Sequence, residues 1–279
     1  MKIKNYVLTT LSILVLSSCS TTNYYQVYKA KSVENYPIQD DHIVFENDHC
    51  QVFYDFWGEN GDFSFRVYNK TDEDLYIEMG KSFCVNNGIA YDYYKERVVT
   101  YSRSSGVSSA ASASGAKSVS GINYYDLLQT NIISLSASTA ILTNAGYSVS
   151  YGEEKVICIP SGTSKVITEY NINTTLIRSC DLLRFPRKNF ESLTYSPENS
   201  PIIFSNRIVY KIGSMDESFD FENEFYVSEI TNYPETQVIM RRYKEYCGQK
   251  SIYTAMFYVN PSPDKFFIKY TKSNDTLKY

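Results

Sequence analysis

The stretch that most restricts this chain is Asp62–Met79. Phe63, Phe65 and Val67 alternate with Asp62, Ser64, Arg66 and Tyr68, and after a polar gap Leu75, Ile77 and Met79 alternate with Tyr76 and Glu78. A two-residue period places apolar side chains on one face of a strand and polar ones on the other. The gap, Asn69-Lys70-Thr71-Asp72-Glu73-Asp74, is rich in side chains that hydrogen-bond to their own backbone and favour turns. Strand, polar turn and strand with one wet face describe an antiparallel sandwich.

The same pattern extends in both directions. Tyr24–Lys29 has strand composition, and Glu46-Asn47-Asp48-His49 reads as a hairpin turn between Ile43–Phe45 and Gln51–Trp57. Asn86-Asn87-Gly88 separates two further runs and supplies the positive φ angles that a tight turn requires. Lys155–Ile159, Pro160-Ser161-Gly162 and Lys165–Ile172 read as strand, turn and strand. Later, Phe219, Phe221, Phe225 and Val227 share one parity, with Asp220, Glu222 and Glu224 on the other. Ile252–Val259 and Lys265–Thr271 are expected to close a final hairpin over Asn260-Pro261-Ser262-Pro263. Glu235–Tyr246 mixes charged and apolar residues without alternation and is expected to be a short helix.

One segment breaks the pattern. Nine of the nineteen residues from Ser102 to Ser120 are serine, too polar to offset chain entropy by burial. Residues 102–152 are therefore expected to be a Ser/Ala-rich insertion, partly disordered. A short helix within Tyr124–Ala145 is weakly opposed by its serines and threonines. The expected fold is mainly β: an antiparallel sandwich with this insertion and one or two short helices.

The N-terminus points to a location. Lys2 and Lys4 precede an apolar run from Tyr6 to Leu16, followed by Ser17, Ser18 and Cys19. Charged region, apolar region and small residues follow the order of a cleaved export signal, and the run is too short to span a bilayer. Leu16-Ser17-Ser18-Cys19 resembles the bacterial lipobox. That resemblance implies cleavage after Ser18 and lipidation of Cys19, making the membrane the first partner. The expected organisation is a signal peptide over 1–18 and a lipidated N-terminus, tether and first strand over 19–42. A sandwich region over 43–180 follows, with further strands of the same or a second β-domain over 181–279.

Cleavage would remove two lysines and no acid, taking the net charge from −4 to −6. An acidic chain argues against a nucleic-acid binder. Export permits disulfides, but Cys50, Cys84, Cys158, Cys180 and Cys247 show neither CxxC nor repeated spacing, and their pairing is open. Tyrosine is abundant, at 27 residues against the single Trp57; this suits half-buried strands or an aromatic ligand-binding face.

Chemistry is sparse. His42 and His49 are the two histidines, with Asp41, Asp48 and Cys50 beside them. If Glu46 pairs with His49 across the turn, His42 lies ~13 Å away, too far to share a metal. No nucleophile elbow and no phosphate loop occurs. Glu153-Glu154 and the Asp220–Glu224 row are acidic pairs of the kind glycosidases use, but a charged row on a strand is ordinarily a solvated face. No cofactor and no catalytic residue is expected.

The Asn69–Leu75 turn between alternating strands, with Ile159-Pro160-Ser161-Gly162, resembles the immunoglobulin-like β-sandwich of bacterial surface lipoproteins. Phe45–Tyr94, Glu154–Ile172 and Ser200–Pro234 resemble uncharacterised Bacteroidetes lipoproteins. The resemblance implies an outer-membrane lipoprotein and assigns no functional residue. Surface-exported Bacteroidetes lipoproteins are similar in carrying acids just after the lipidated cysteine. Here the first acid is Glu34, which implies the periplasmic face. Asp275-Thr276-Leu277 resembles their O-glycosylation acceptor, at Thr276. The expected function is non-enzymatic: a membrane-tethered sandwich for binding an unknown envelope protein or organising the envelope. A glycan- or ligand-handling protein is the alternative. A fimbrial-type subunit is a third, opposed by the absence of any arginine before Arg66.

Overall fold

The computed structural model describes residues 22–104, 117–121, 130–134, 146–272 and 277–279, with side chains described outside 99–151. Cys19 and Thr276 lie outside the described residues.

Among the described residues twenty strands follow in chain order. The first eight are β1 (Asn23–Ser32), β2 (Ile38–Gln39), β3 (His42–Glu46), β4 (Cys50–Tyr54), β5 (Phe65–Asn69), β6 (Leu75–Glu78), β7 (Phe83–Asn86) and β8 (Ile89–Asp92). Next come β9 (Val98–Ser104), β10 (Lys117–Gly121), β11 (Thr130–Ser134), β12 (Gly146–Gly152), β13 (Val156–Ile159), β14 (Ser164–Ile167) and β15 (Ser192–Thr194). The last are β16 (Ile203–Ile212), β17 (Phe219–Pro234), β18 (Ile239–Tyr246), β19 (Gln249–Tyr258) and β20 (Lys265–Thr271).

A nine-stranded sheet runs β13-β6-β16-β17-β1-β20, with β15 beside β17, β7 beside β16 and β8 beside β7. A five-stranded sheet runs β14-β5-β4-β3-β2. The paired strands are antiparallel and the sheets curl into a half-barrel, a mainly β fold consistent with a sandwich. The core lies between them. Tyr54 and Phe56 meet Phe225 at ring-centroid distances of 5.0 Å, and Phe63 meets Phe204 at 5.0 Å. One buried cluster extends from Tyr28 to Ile268. Each fully buried Phe contributes about 1.5–3 kcal/mol of apolar transfer.

The Asn69 turn crosses from one sheet to the other, because β5 belongs to the smaller sheet and β6 to the larger. The Pro160-Ser161-Gly162 turn crosses back, since β13 pairs with β6 and β14 with β5. Asn69 locks the two arches together. Its amide nitrogen donates to the carbonyls of Glu73 (2.7 Å) and Ile159 (2.9 Å), and its oxygen accepts from the Thr71 backbone N–H (2.9 Å). The Asn87-Gly88 turn joins β7 to β8 with both residues at positive φ, as its sequence requires.

Three expectations are corrected. Glu235–Tyr246 is one helical turn, Glu235–Val238, followed by β18. Ile252–Val259 does not form a hairpin with Lys265–Thr271: β19 folds back on β18 through Cys247-Gly248, and β20 pairs with β1. Positive φ at Cys247 and Gly248 makes that turn. In the described part of 102–152, β9 pairs with β12 and β10 with β11. Finally, Glu46 faces Gln51 rather than His49, because Asn47 to Cys50 form the turn.

At the root of that region, Arg97 bridges two acids. Its Nη1 and Nη2 donate to Glu169 at 2.8 and 2.9 Å, and its Nε to Glu153 at 3.2 Å. Burial alone would raise the Glu153 carboxyl, but hydrogen bonds from Arg97 and from the Lys95 backbone hold it below the usual carboxylate range.

Candidate functional site

The outer face of the β17–β1–β20 sheet carries a second, smaller core and a cleft beside it. On β1, Tyr28 and Ala30 point into the main core, so Tyr25, Val27 and Lys29 point outward. Opposite them stand Tyr233, Thr231 and Glu229 of β17, and Lys269, Phe267 and Lys265 of β20.

A β-bulge sets this arrangement. The register shifts between Lys29 and Ala30, leaving Ser228 without a partner on β1. Before it, Phe225 and Val227 face the core; after it, Ile230 does. Unbroken alternation would have sent Glu229, Thr231 and Tyr233 inward. A bulge re-aims the side chains beyond it, and here it frees them for the outer face. The Ser228 hydroxyl donates to the Lys29 carbonyl at 3.1 Å.

The cleft has a volume of about 360 Å³. Val27, Lys29, Glu229, Thr231 and Tyr233 line it from the sheet, Gln237 and Val238 from the helical turn, and Trp57, Asn260 and Lys265 complete it. Trp57 forms the aromatic wall. Its ring lies 5.2 Å from Tyr258, edge-on, and 5.3 Å from Phe267. Two backbone bonds strap its loop to β20: Phe267 N–H to the Gly58 carbonyl (3.1 Å) and Asn60 N–H to the Phe267 carbonyl (2.7 Å). Gly61 completes the strap at φ 75°, where a Cβ would meet Ile172 Cδ1 and Phe266 Cγ at 2.9 Å.

Burial raises the Tyr258 hydroxyl, with help from Glu59, and raises Tyr25 to about 12, with help from Glu235. Both stay protonated donors at neutral pH. An indole wall beside Lys29, Lys265, Glu229, Gln237 and Asn260 suits a polar ring-shaped ligand. The apolar face of such a ring stacks while its edge hydrogen-bonds. Among the described residues no histidine, cysteine or serine lines the cleft.

The other candidates are occupied elsewhere. The His49 Nδ1 lies 2.8 Å from the Tyr210 hydroxyl and its ring packs on Phe219, while the His42 Nδ1 meets the Asp40 carbonyl at 2.7 Å. Among the described residues no group of three or more His, Cys, Asp or Glu is arranged to hold a metal. Glu153 is held by Arg97, and Glu154 pairs with Lys165 at 3.7 Å. Asp220, Glu222 and Glu224 form an exposed row on β17. Cys50, Cys84, Cys158, Cys180 and Cys247 are all free. Burial pushes the Cys50 and Cys84 thiols up to about 12, so they remain unreactive.

Part of the tyrosine load is structural: of the 27 tyrosines, Tyr24, Tyr25, Tyr28, Tyr54, Tyr93, Tyr210 and Tyr270 are buried. Of the cleft residues only Trp57 stood out in the sequence. The missed signal was β1 itself, apolar on both faces, as a strand covered on both sides must be.

No protein-family model matches the chain, and neither a curated protein nor a solved structure matches it. Among the described residues no helix is long and apolar enough to cross a membrane.

Proposed function

We propose that the chain is a lipid-anchored envelope β-sandwich that acts by binding. The lipobox-like Leu16–Cys19 carries this reading. It is supported by where β1 begins. Asn23 pairs with Thr271, and the next residue, Tyr24, sits between Pro234 and Tyr270. A lipid on Cys19 would thus hold the larger sheet at β1, one strand in from its β20 edge, through a three-residue tether. Kinship with immunoglobulin-like Bacteroidetes lipoproteins, the periplasmic face of the outer membrane and a sugar on Thr276 belong to the same proposal.

The test is intact mass and fractionation of the native protein and of Cys19→Ala. The native mass should lack residues 1–18 and include acyl chains, and the variant should leave the membrane or persist as precursor. A Cys19→Ala protein that is processed and still sediments with membranes would overturn the reading. A second native mass peak, heavier by a sugar and lost in Thr276→Ala, would mark the glycan.

The Trp57 cleft favours a second reading, in which the bound partner is a glycan or a similar polar ring. Trp57 is the only tryptophan, so its fluorescence reports the cleft directly. Titration with envelope oligosaccharides should shift its emission saturably, and Lys29→Ala should weaken the response. An unchanged spectrum across the series would remove this reading.

A further inference from the structure

We propose that the β18–β19 hairpin is a second membrane contact, docking on an anionic phospholipid surface. It pairs only with itself among the described strands and is wet on both faces. Yet it carries Tyr243, Tyr246, Ile252, Tyr253 and Met256 with exposures of 59–84%. Isolated exposed apolar residues are ordinary; five on one hairpin, Tyr243, Ile252 and Met256 on one face and Tyr246 and Tyr253 on the other, mark a contact surface.

Charge selects the partner. The hairpin holds Arg241, Arg242, Lys244 and Lys250 against Glu245, a net +3 in a chain of net −4. Two such hairpins repel each other. Lysine and arginine on open strands, with a register shift between Tyr243 and Glu245, also oppose edge-to-edge pairing with a second copy. Cations interleaved with tyrosines suit a headgroup layer, where basic residues meet phosphates and amphipathic rings sit at the interface.

Position agrees, and this step rests on the proposed anchor. The helical turn that roots the hairpin touches the start of β1: the Asn23 amide donates to the Glu235 carboxylate at 3.1 Å. Three residues separate Cys19 from Asn23, four Cα steps with a reach of at most ~14 Å. The hairpin strands, at ~3.4 Å per residue, are longer than that tether. The hairpin therefore roots at the membrane-proximal end of the sheet.

The experiment uses the full chain with Cys19→Ala, which removes the acylation site, in co-sedimentation with vesicles. One set of vesicles is phosphatidylcholine alone and the other is equimolar phosphatidylglycerol and phosphatidylcholine. Two hairpin variants carry the same N-terminus: R241E/R242E/K244E and Y246S/I252S/Y253S. Partitioning onto phosphatidylglycerol vesicles should exceed that onto phosphatidylcholine by about tenfold and fall with added salt. Each variant should lose most of that excess while melting as the parent does. Equal sedimentation of parent and variants overturns the proposal, and so does a hairpin-dependent dimer in sedimentation equilibrium. The anchor is judged separately by native mass. A lipidated mass without hairpin-dependent binding sinks the hairpin alone, and an unlipidated mass with such binding sinks the anchor alone.

Discussion

β17 and the β18–β19 hairpin are consecutive in the chain and both built of strands, yet they live in opposite environments. β17 has β1, β15 and β16 as neighbours, and its Phe225, Val227 and Ile230 are fully buried. The hairpin begins after one helical turn, and its Tyr246 and Ile252 are more than four-fifths exposed. Strand propensity is shared; partners are not. In β17 strict alternation lets one face be buried, and a bulge switches that face where the outer layer begins. Arg241-Arg242-Tyr243-Lys244-Glu245-Tyr246 has no alternation, so neither face can be buried without taking charge with it.

The largest test of this contrast is Phe225→Ala. Phe225 touches Tyr54, Phe56 and Phe204 and is completely buried. Its truncation should destabilise the fold by about 3–5 kcal/mol, read as a lowered midpoint in urea unfolding. A small shift would mean that the two sheets do not share this core.

Next in size is Asn69→Ala. The variant deprives the Glu73 and Ile159 carbonyls of donors and the Thr71 backbone N–H of its acceptor, at the crossing of the two arches. The expected loss is about 2–3 kcal/mol, with Asn69→Asp recovering only the acceptor half. Equal stability of the Ala variant would show that the arches hold by packing alone.

Smaller again is Arg97→Ala, which should cost about 1–2 kcal/mol at neutral pH because Arg97 is partly exposed. Its signature is in the pH dependence. Glu153 has a lowered folded pKa, so its contribution is present above the ordinary glutamate range. That contribution fades as pH falls through the lowered value. The variant should therefore show a shallower loss of stability below that range than the parent. Parallel acid profiles would contradict the pairing.

How far the sequence is legible follows the same divide. Alternation marked β5 (Phe65–Asn69), β6 (Leu75–Glu78) and Phe219–Val227 as the strands they are, although Phe63 and Met79 fall just outside them, and Asn87-Gly88 marked the turn it makes. Glu235–Tyr246 was misread because absent alternation ordinarily signals helix or loop, whereas here it signals a strand with two wet faces. The arch turns at Asn69 and Pro160 were visible as turns. That they cross between sheets depends on the pairing of β6 with β13, some eighty residues apart. The cleft was least visible. Its walls come from β1, β17, residues 237–238, Trp57, and residues 259, 260 and 265, brought together by registers and by one bulge at Ser228 that leaves no mark in composition.

The smallest expected effect is the sharpest test of the contrast. Tyr54 and Tyr246 are the same residue in the two environments. The Tyr54 ring is fully buried and its hydroxyl donates to Asn223 at 2.8 Å, whereas Tyr246 is 84% exposed beside the hairpin turn. Tyr246→Ser removes a ring that shields little from water in the free protein, so its unfolding midpoint should move by no more than about 0.5 kcal/mol. Two-state unfolding in urea with the parent's slope would confirm that the same surface is being exposed. A loss of a kilocalorie or more would show that the hairpin packs on the body of the protein. The tyrosine would then belong to a core, the hairpin and β17 would share one environment, and the surface assigned to the bilayer would be lost with the comparison.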